Sequence, residues 1–162
     1  MSLGHALEAR ELRRVFSAFP SGVVAIAALA GGAPVGIVAS SFTSVSLDPP
    51  IVSLCVAHTS TTWPVLGAAP RFGISVLSAA QEQACRQLSS RGVDRFAELG
   101  WRASDQGAVF LDGASAWLEC ALFAQVTAGD HDIILLRVHD LDSDPEISPL
   151  VFHHSRFRRL EL

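Results

Sequence analysis

Residues 38–50 read VASSFTSVSLDPP and lie between two apolar runs, at 35–39 and 51–56. The apolar runs have the length and composition of β-strands, so the stretch predicts a loop that joins two strands. Hydroxyl groups dominate this loop, on Ser40, Ser41, Thr43, Ser44 and Ser46. They offer many neutral hydrogen-bond donors, which suits a polar ligand with ring carbonyls and a phosphate bound against a sheet. A solvated loop rich in turn-forming residues is the alternative.

The composition indicates one domain that spans residues 1–162. Hydrophobic residues make up 49% of the chain and the mean hydropathy is +0.36. No apolar run approaches the roughly 20 residues that a membrane-spanning helix needs, so we expect the surplus apolar surface in a core or a subunit interface. A homo-oligomer is therefore expected. The net charge of −4 gives no reason to expect nucleic acid or an anionic membrane as a partner.

Two residue types exclude particular kinds of chemistry. All twelve basic residues are arginines, and without a lysine amine the chain has neither Schiff-base chemistry nor a P-loop. The three cysteines are odd in number and far apart, and Cys55 and Cys120 lie in apolar runs. This pattern predicts buried, reduced thiols. The N-terminal sequence MSLGHALEAR has no apolar secretory segment, so a cytoplasmic location is expected.

The hydrophobic pattern is mainly that of β-strands. An amphipathic helix is predicted at 6–19, with its apolar face closing onto a core. Ser78 and Gln81 form a capping box before a short helix, and the polar, broken stretch 89–105 is typical of an excursion over the surface. Because helices do not alternate regularly with strands, we expect an antiparallel barrel with short flanking helices. The predicted strands are residues 23–29, 35–42, 51–56, 71–77, 116–126, 133–138 and 150–157.

A second hydroxyl-rich segment precedes the pair Trp63-Pro64. Ser60, Thr61 and Thr62 come directly before these residues, and proline is favoured in the first turn of a helix. Hydroxyl groups beside the free backbone N–H groups of a helix N-terminus can bind an anion without a lysine. A plain N-terminal cap is an equally good interpretation of the same residues.

The turn Gly129-Asp130-His131 places a titratable imidazole at the start of a strand, where it can face a pocket. A solvated hairpin tip is the other interpretation of such a turn. Asp130 and His131 could also join His153 and His154 as metal ligands, but no ligand spacing of a known type supports a metal site. A Ser-His-Asp hydrolase is a further alternative, although the chain has no G-x-S-x-G elbow.

In their order and spacing, these segments resemble the short-chain flavin reductase family. The resemblance extends from about residue 12 to residue 160 and rests on several stretches taken together. They are RRVFSAFPSGV at 13–23, the hydroxyl loop with Asp48-Pro49-Pro50, the S-x-T of residues 60–62, RFGISVL at 71–77, GASAWLE at 113–119, Gly129-Asp130-His131 and PLVFHHSRFRRL at 149–160.

The resemblance implies a mainly β, antiparallel FMN-binding split barrel of Greek-key type, usually a homodimer with flavin at the subunit boundary. It also implies an NAD(P)H:flavin oxidoreductase that reduces FMN or FAD and often passes reduced flavin to a separate monooxygenase. In the family pattern the hydroxyl loop lines the isoalloxazine, the S-x-T segment holds the flavin phosphate, and His131, with Asp130 beside it, lies near the nicotinamide. The positions that match flavin contacts are Ala39, Ser40, Ser41, Phe42, Thr43, Ser46, Cys55, His58, Ser60, Thr62, Ser75 and Phe157.

Some positions depart from the family pattern. Ser75 stands where many relatives carry Asn, and Phe152 and Phe157 stand where Tyr is frequent. The residues still fit the family's chemistry, because hydride transfer between nicotinamide and flavin needs no protein nucleophile. The absence of G-x-G-x-x-G indicates that the nicotinamide nucleotide binds briefly, as a substrate.

The sequence also fits two other functions. One is a flavin carrier or sensor that holds FMN without rapid turnover, and the other is an FMN-dependent oxidase of a small amine or heterocycle. His131 in the Gly-Asp-His turn favours the reductase. The lack of an arginine- or lysine-rich phosphate clamp in the sequence favours exchangeable flavin over a permanent prosthetic group.

Overall fold

The computed structural model describes residues 7–161, which form a mainly β, antiparallel structure, as predicted. None of the helices in this part of the chain is long and apolar enough to cross a membrane. The helices are α1 (Ala9–Phe16), α2 (Trp63–Leu66) and α3 (Glu82–Leu88), and a 3-10 turn (Ala79–Gln81) precedes α3. The strands are β1 (Ser21–Gly22), β2 (Val24–Ala30), β3 (Ala33–Ala39), β4 (Thr43–Leu47), β5 (Pro50–Ala57), β6 (Phe72–Val76), β7 (Trp101–Ala103), β8 (Val109–Leu111), β9 (Ala116–Ala128), β10 (His131–Ser143), β11 (Val151–His153) and β12 (Arg156–Arg158).

The main sheet must curl into a barrel because of one short connection. Seven strands form this sheet in the order β3-β2-β6-β9-β10-β5-β4, so β3 and β4 lie at opposite edges. Only residues 40–42 join these two strands. A flat sheet of seven strands would separate its edges by about 29 Å, whereas the four residue steps from Ala39 to Thr43 reach at most about 14 Å. The sheet therefore curls until β3 approaches the β4–β5 edge, which leaves a split at this point.

The hydroxyl-rich stretch is a shorter loop than the sequence predicts. Thr43–Leu47 forms the edge strand β4, which pairs with β5 from Thr43 opposite Ser53 to Leu47 opposite Pro50. The prediction of a loop over all of 38–50 was wrong because β4 is mostly exposed on both faces, and its alternation consists of only two apolar residues, Val45 and Leu47. The pairing with β4 ends at Ser53, so residues 54–57 of β5 turn their free edge toward the split.

Strand β2 is buried on both faces, which explains its continuous apolar run. Its even-numbered residues enter the interior of the barrel, and its odd-numbered residues enter a second core outside the barrel. The interior core includes Val24, Ile26, Ala28, Leu54, Phe72, Ile74, Ile134 and Leu136. The outer core includes Ala25, Ala27, Leu77, Leu88, Phe96, Val109, Leu111 and Leu150.

Two small sheets accompany the barrel. Strands β7 and β8 form a hairpin, and β1, β11 and β12 form a three-stranded sheet. The single strand predicted at 150–157 is two strands, because the chain turns at His154 and Ser155, which both have positive φ. The capping box at Ser78 and Gln81 is confirmed, with the backbone N–H of Ser78 donating to Oε1 of Gln81 at 2.9 Å.

The stretch after α3 is bound to the barrel, and the expectation of a surface excursion was wrong for its central part. Phe96 is only 7% exposed and packs in the outer core. The Gln87 side-chain amide donates to the carbonyl oxygens of Arg95 at 3.0 Å and Ala97 at 2.7 Å. The polar composition concealed this arrangement, because Phe96 and the polar side chains of Gln87 and Arg95 hold the stretch in place.

Helix α1 contributes no buried residue, so the prediction that its apolar face closes onto a core was wrong for this chain. Phe16 is 69% exposed, and Phe19, just after the helix, is 80% exposed. The outer core is already filled by α3, Phe96 and the β11–β12 hairpin. The predicted helix also begins at residue 6 and the predicted domain spans 1–162, so both extend outside the described residues.

Candidate active site

The split between β3 and β5 opens a cleft of about 490 Å³. Its walls come from the end of β3 and the following loop, the end of β5, the segment before α2, the end of α3 with the stretch that follows it, and the start of β10. The side chains that border it are Ile37, Val38, Ala39, Ser40, Ser41, Cys55, Val56, Ala57, Thr59, Ser60, Thr61, Thr62, Leu88, Ser89, Arg91, Arg95 and His131. A cleft of this size, with apolar walls and a few convergent polar groups, is the usual form of a small-molecule site.

Three hydroxyl groups of the cleft share one hydrogen-bonding pattern. Ser41 Oγ accepts from the backbone N–H of Cys55 at 2.9 Å, and Ser60 Oγ accepts from the backbone N–H of Trp63 at 3.1 Å. Thr62 Oγ1 accepts from Arg95 Nη1 at 3.1 Å. Each hydroxyl oxygen thus accepts a hydrogen bond from the protein, and its own O–H proton remains free to donate to a ligand.

Two arginines border the cleft, and sequence reasoning missed both. The Arg95 guanidinium donates to three groups: Thr62 Oγ1, the Gly36 carbonyl at 3.0 Å and the Ser90 carbonyl at 2.9 Å. Arg91 is exposed on the rim. The fold brings Arg95 to Thr62, which lies 33 residues away in the chain, so no local motif indicates a basic group beside this hydroxyl.

The polar lining carries no carboxylate. The bordering residues include two guanidinium groups, one imidazole and several hydroxyls, but neither Asp nor Glu. The cleft is therefore a basic, donor-rich surface on a chain whose net charge is −4. Such a surface favours an anionic ligand with many acceptor atoms.

His131 borders the cleft at the start of β10. Its Nδ1 lies 2.7 Å from Asp130 Oδ1, and this hydrogen bond holds the pKa of Asp130 below its usual range. An ionised carboxylate can only accept, so Nδ1 carries the ring proton that faces Asp130. Nε2 is then the ring atom left for a ligand. Asp130 itself is exposed and lies outside the cleft lining.

A second histidine–aspartate pair lies beside the first. His58 Nε2 is 2.8 Å from Asp132 Oδ1, and Asp132 Oδ2 accepts from the Gln125 amide at 2.6 Å. The backbone N–H of His58 also donates to the carbonyl of Asp130 at 2.9 Å. His58 therefore fastens the segment that carries Ser60 and Thr62 to the start of β10, while its ring stays outside the cleft lining.

A smaller hollow of about 190 Å³ adjoins the cleft and shares Val38, Ala39 and Ser40 with it. Phe157 lines this hollow, beside Phe152, with ring centroids 5.4 Å apart. The Arg86 guanidinium lies 4.9 Å from the centroid of the Phe157 ring. Phe157 thus lies next to the cleft but outside its lining.

The structure gathers about half of the predicted site residues and separates the rest. The residues brought together at the cleft are Ala39, Ser40, Ser41, Cys55, Ser60, Thr62 and His131. Phe42 packs against the interior core, and Thr43 and Ser46 lie on β4. Ser75 is 1% exposed and its Oγ accepts from the backbone N–H of Leu111 at 2.9 Å. Ser75 is thus a core residue, so the expectation that it contacts flavin is corrected.

The cysteines divide between the core and the cleft. Cys85 and Cys120 are buried, and burial raises the pKa of both thiols, that of Cys120 to about 12. Cys55 is only half-buried and borders the cleft, so the prediction of a buried thiol was wrong there. β4 stops pairing with β5 before Cys55, which leaves this side of the strand open.

Within residues 7–161, the side chains give no support to the hydrolase and metal alternatives. Among residues 7–161, no hydroxyl side chain is hydrogen-bonded to the ring of His58 or His131. In the same described part of the chain, no three His, Cys, Asp or Glu side chains gather as metal ligands. His153 and His154 lie at the turn between β11 and β12, away from the cleft lining.

Comparison with known proteins gives consistent relatives. A flavin reductase of Pseudomonas putida is 36% identical over 153 residues, which cover 94% of this chain and 90% of the relative. The reductase subunit HsaB of a flavin-dependent monooxygenase from Rhodococcus jostii is 33% identical over 156 residues, covering 96% of this chain and 80% of the relative. The NADH:FAD oxidoreductase of Streptomyces globisporus C-1027, solved with NAD and FAD fragments, matches with a TM-score of 0.88 at 38% identity over 98% of each chain.

A family profile agrees with these relatives. The profile described as "Flavin reductase like domain" matches residues 16–161. This match includes every strand of the barrel and every residue that borders the cleft. The chain therefore belongs to the flavin reductase like domain family.

Proposed function

We propose that this chain is an NAD(P)H:flavin oxidoreductase that binds FMN or FAD in the cleft and reduces it with NADH or NADPH. The observation that carries the proposal is the composition of the cleft lining: hydroxyl protons and guanidinium groups beside apolar walls, with no carboxylate. The names of the relatives support it, since they include a flavin reductase and an NADH:FAD oxidoreductase.

The cleft fits a flavin by the chemistry of its donors. Flavins present ring carbonyls and ring nitrogens as acceptors and carry at least one phosphate when they are FMN or FAD. Ser41 keeps an O–H proton beside the free edge of β5, where it can donate to a ring carbonyl. Ile37, Val38 and Leu88 supply apolar surface for a planar ring.

The phosphate belongs with Ser60, Thr62 and Arg95. Arg95 Nη1 donates to Thr62 Oγ1, so the positive guanidinium lies directly beside a hydroxyl whose own proton is still free to donate. Ser60 offers a second O–H proton a short distance along the same segment. Because Arg95 also donates to the carbonyls of Gly36 and Ser90, its guanidinium is fixed before a ligand arrives.

Bound flavin supplies the hydride acceptor, and the protein contributes binding, orientation and exclusion of water. His131 positions the nicotinamide or places charge beside it through Nε2, since Asp130 occupies Nδ1. No residue is needed as a nucleophile or general base for the transfer itself. The nicotinamide nucleotide acts as a transient substrate over the same cleft.

A homodimer accounts for apolar surface that one chain leaves uncovered. Phe16 of α1, Leu47 of β4 and Phe123 of β9 are all exposed, Leu47 to 94%. A contiguous exposed apolar patch marks a protein–protein interface, and these large side chains are the candidates for such a patch. A second copy of the chain would cover the face of α1 that finds no core in its own chain.

Reduced flavin made in an open cleft can leave for a second enzyme. The R. jostii relative is the reductase subunit of a flavin-dependent monooxygenase. By analogy, a partner monooxygenase receives the reduced flavin from this chain.

A steady-state assay tests the proposal against its alternatives. Purified protein should oxidise NADH or NADPH only when FMN, FAD or riboflavin is added. Flavin that binds but is not reduced by either nicotinamide would instead favour a carrier or sensor. Oxygen consumption with a small amine and flavin, but without nicotinamide, would favour an oxidase.

A further inference from the structure

The two guanidinium groups at the cleft are held in different ways. Arg95 is half-buried and makes three hydrogen bonds to Gly36, Thr62 and Ser90. Arg91 is exposed, and its side chain makes no hydrogen bond or ion pair with any described residue. One arginine is thus committed to the fold and to the Thr62 hydroxyl, and the other keeps all its donors for a ligand.

The backbone around Arg91 is nevertheless fixed. Before it, the Ser90 carbonyl accepts from Arg95 Nε, and the Ser90 N–H donates to the Gln87 carbonyl at 3.0 Å. After it, the chain reverses at Gly92, whose φ of +72° suits glycine. Farther along, the Gln87 side chain holds the carbonyl of Arg95. Arg91 therefore stands at a defined place on the rim, with only its side chain free to move.

The environment of Arg91 points to an anion. No Asp or Glu borders the cleft to pair with it. If Ser60, Thr62 and Arg95 hold one phosphate, as proposed above, Arg91 is a separate cation for a second negative group on the same ligand. A mononucleotide such as FMN has one phosphate, whereas FAD, NADH and NADPH each carry a pyrophosphate.

We propose that Arg91 binds the second phosphate of a dinucleotide and so gives the cleft a preference for dinucleotides over mononucleotides. The inference rests on the proposed function of the cleft. The shared chemistry is the pyrophosphate, which FAD and the nicotinamide dinucleotide both supply. Arg95 contributes to binding of either nucleotide class, and Arg91 contributes only when the second phosphate is present.

The test compares Arg91→Ala and Arg91→Lys with the wild-type protein. Dissociation constants for FAD, FMN and riboflavin are measured by titration of flavin-free protein. KM is measured for NADH and for reduced nicotinamide mononucleotide, which lacks the second phosphate. Arg156→Ala is the matched control, because it removes the same charge from an exposed position of β12 that does not border the cleft.

We expect Arg91→Ala to weaken the binding of one dinucleotide by about 10-fold, as for loss of one charged hydrogen bond. The Kd for FAD rises while that for FMN and riboflavin stays within about twofold, or KM for NADH rises while KM for the mononucleotide does not. The first result assigns the second phosphate to FAD and the second result to NADH. Arg91→Lys should recover part of the loss by keeping the charge.

Two results would overturn the inference. Equal weakening of FAD and FMN would show that Arg91 binds the phosphate that both flavins share. Unchanged constants for every ligand would show that Arg91 is a solvated side chain. Failure of the wild-type protein to bind any flavin would instead contradict the proposed function, so the two failures are distinguishable.

Discussion

His58 Nε2 lies 2.8 Å from Asp132 Oδ1, and this pair joins the segment that carries Ser60 and Thr62 to the strand that begins with His131. These two parts of the cleft lining lie more than sixty residues apart in the chain. Because a Gln125 amide holds the other oxygen of Asp132, the carboxylate is bonded from two sides. Together with the β5–β10 ladder, in which His131 lies opposite Ala57, the pair holds the proposed phosphate site beside the proposed nicotinamide site.

Asp132→Asn should destabilise the protein near neutral pH and have a smaller effect on its stability in acid. Hydrogen bonds lower the pKa of Asp132, and the bond from Gln125 contributes more than the bond from His58. A carboxylate with a lowered folded-state pKa stabilises the fold fully above its unfolded pKa, and the stabilisation is lost as the pH falls through the folded pKa. The gap in Tm between wild type and variant should thus shrink below about pH 4.

The control for this experiment is Asp105→Asn, since Asp105 is exposed and its side chain makes no hydrogen bond with a described residue. Thermal melts of the three proteins over a pH series provide the measurement. A gap in Tm that stays constant from neutral to acid pH would contradict the role given to the carboxylate charge.

Ser60→Ala combined with Thr62→Ala should weaken FMN binding by about 1–3 kcal/mol, because two donors to the phosphate are lost. Riboflavin has no phosphate and should lose far less. Fluorescence titration of both flavins checks the difference. Equal losses for FMN and riboflavin would mean that the two hydroxyls only accept hydrogen bonds within the protein, from the Trp63 backbone N–H and the Arg95 guanidinium.

His131→Ala should leave flavin affinity nearly intact and slow flavin reduction, or raise KM for NAD(P)H, by about 10–100-fold, as for loss of one positioning contact. Asp130→Ala should show a smaller defect of the same kind, because Asp130 orients the ring through Nδ1. Steady-state kinetics at limiting and saturating NAD(P)H give both parameters. Wild-type kinetics in both variants would remove His131 from the site.

Ser75→Ala should affect the fold and leave flavin affinity unchanged. The Ser75 hydroxyl accepts from the backbone N–H of Leu111, which would lose its partner in a buried place. The expected loss is about 1–3 kcal/mol of unfolding free energy in urea denaturation. Ser44→Ala, at an exposed position of β4, should change stability by less than about 0.5 kcal/mol. Weakened FMN binding in Ser75→Ala would restore Ser75 to the site.

The sequence predicts the barrel strands well because burial imposes their pattern. β2 reads as a continuous apolar run and β5 as an apolar run interrupted by Ser53, and both were expected within a few residues of their observed bounds. β4 escaped prediction because it is mostly exposed on both faces, and Val45 and Leu47 are its only apolar residues. The helix α1 was found, but its packing was not, since amphipathicity does not identify which surface a helix faces.

The site was predictable where a residue type itself suits the ligand. Ser41, Ser60, Thr62 and His131 could be proposed from local chemistry, and they meet at one cleft. Arg95 could not, because its position depends on hydrogen bonds to Gly36 and Thr62, which lie 59 and 33 residues away in the chain. Asp132 was missed for the same reason, as its partner His58 lies 74 residues away.

Anaerobic rapid mixing tests the central claim most directly. Protein with bound FAD or FMN is mixed with NADH or NADPH, and the visible absorbance of oxidised flavin is followed, with a protein-free mixture as the control. The account predicts bleaching much faster than in the control, at a rate that saturates with at least one nicotinamide nucleotide. Bleaching no faster than the control, with both flavins and both nucleotides, would contradict it.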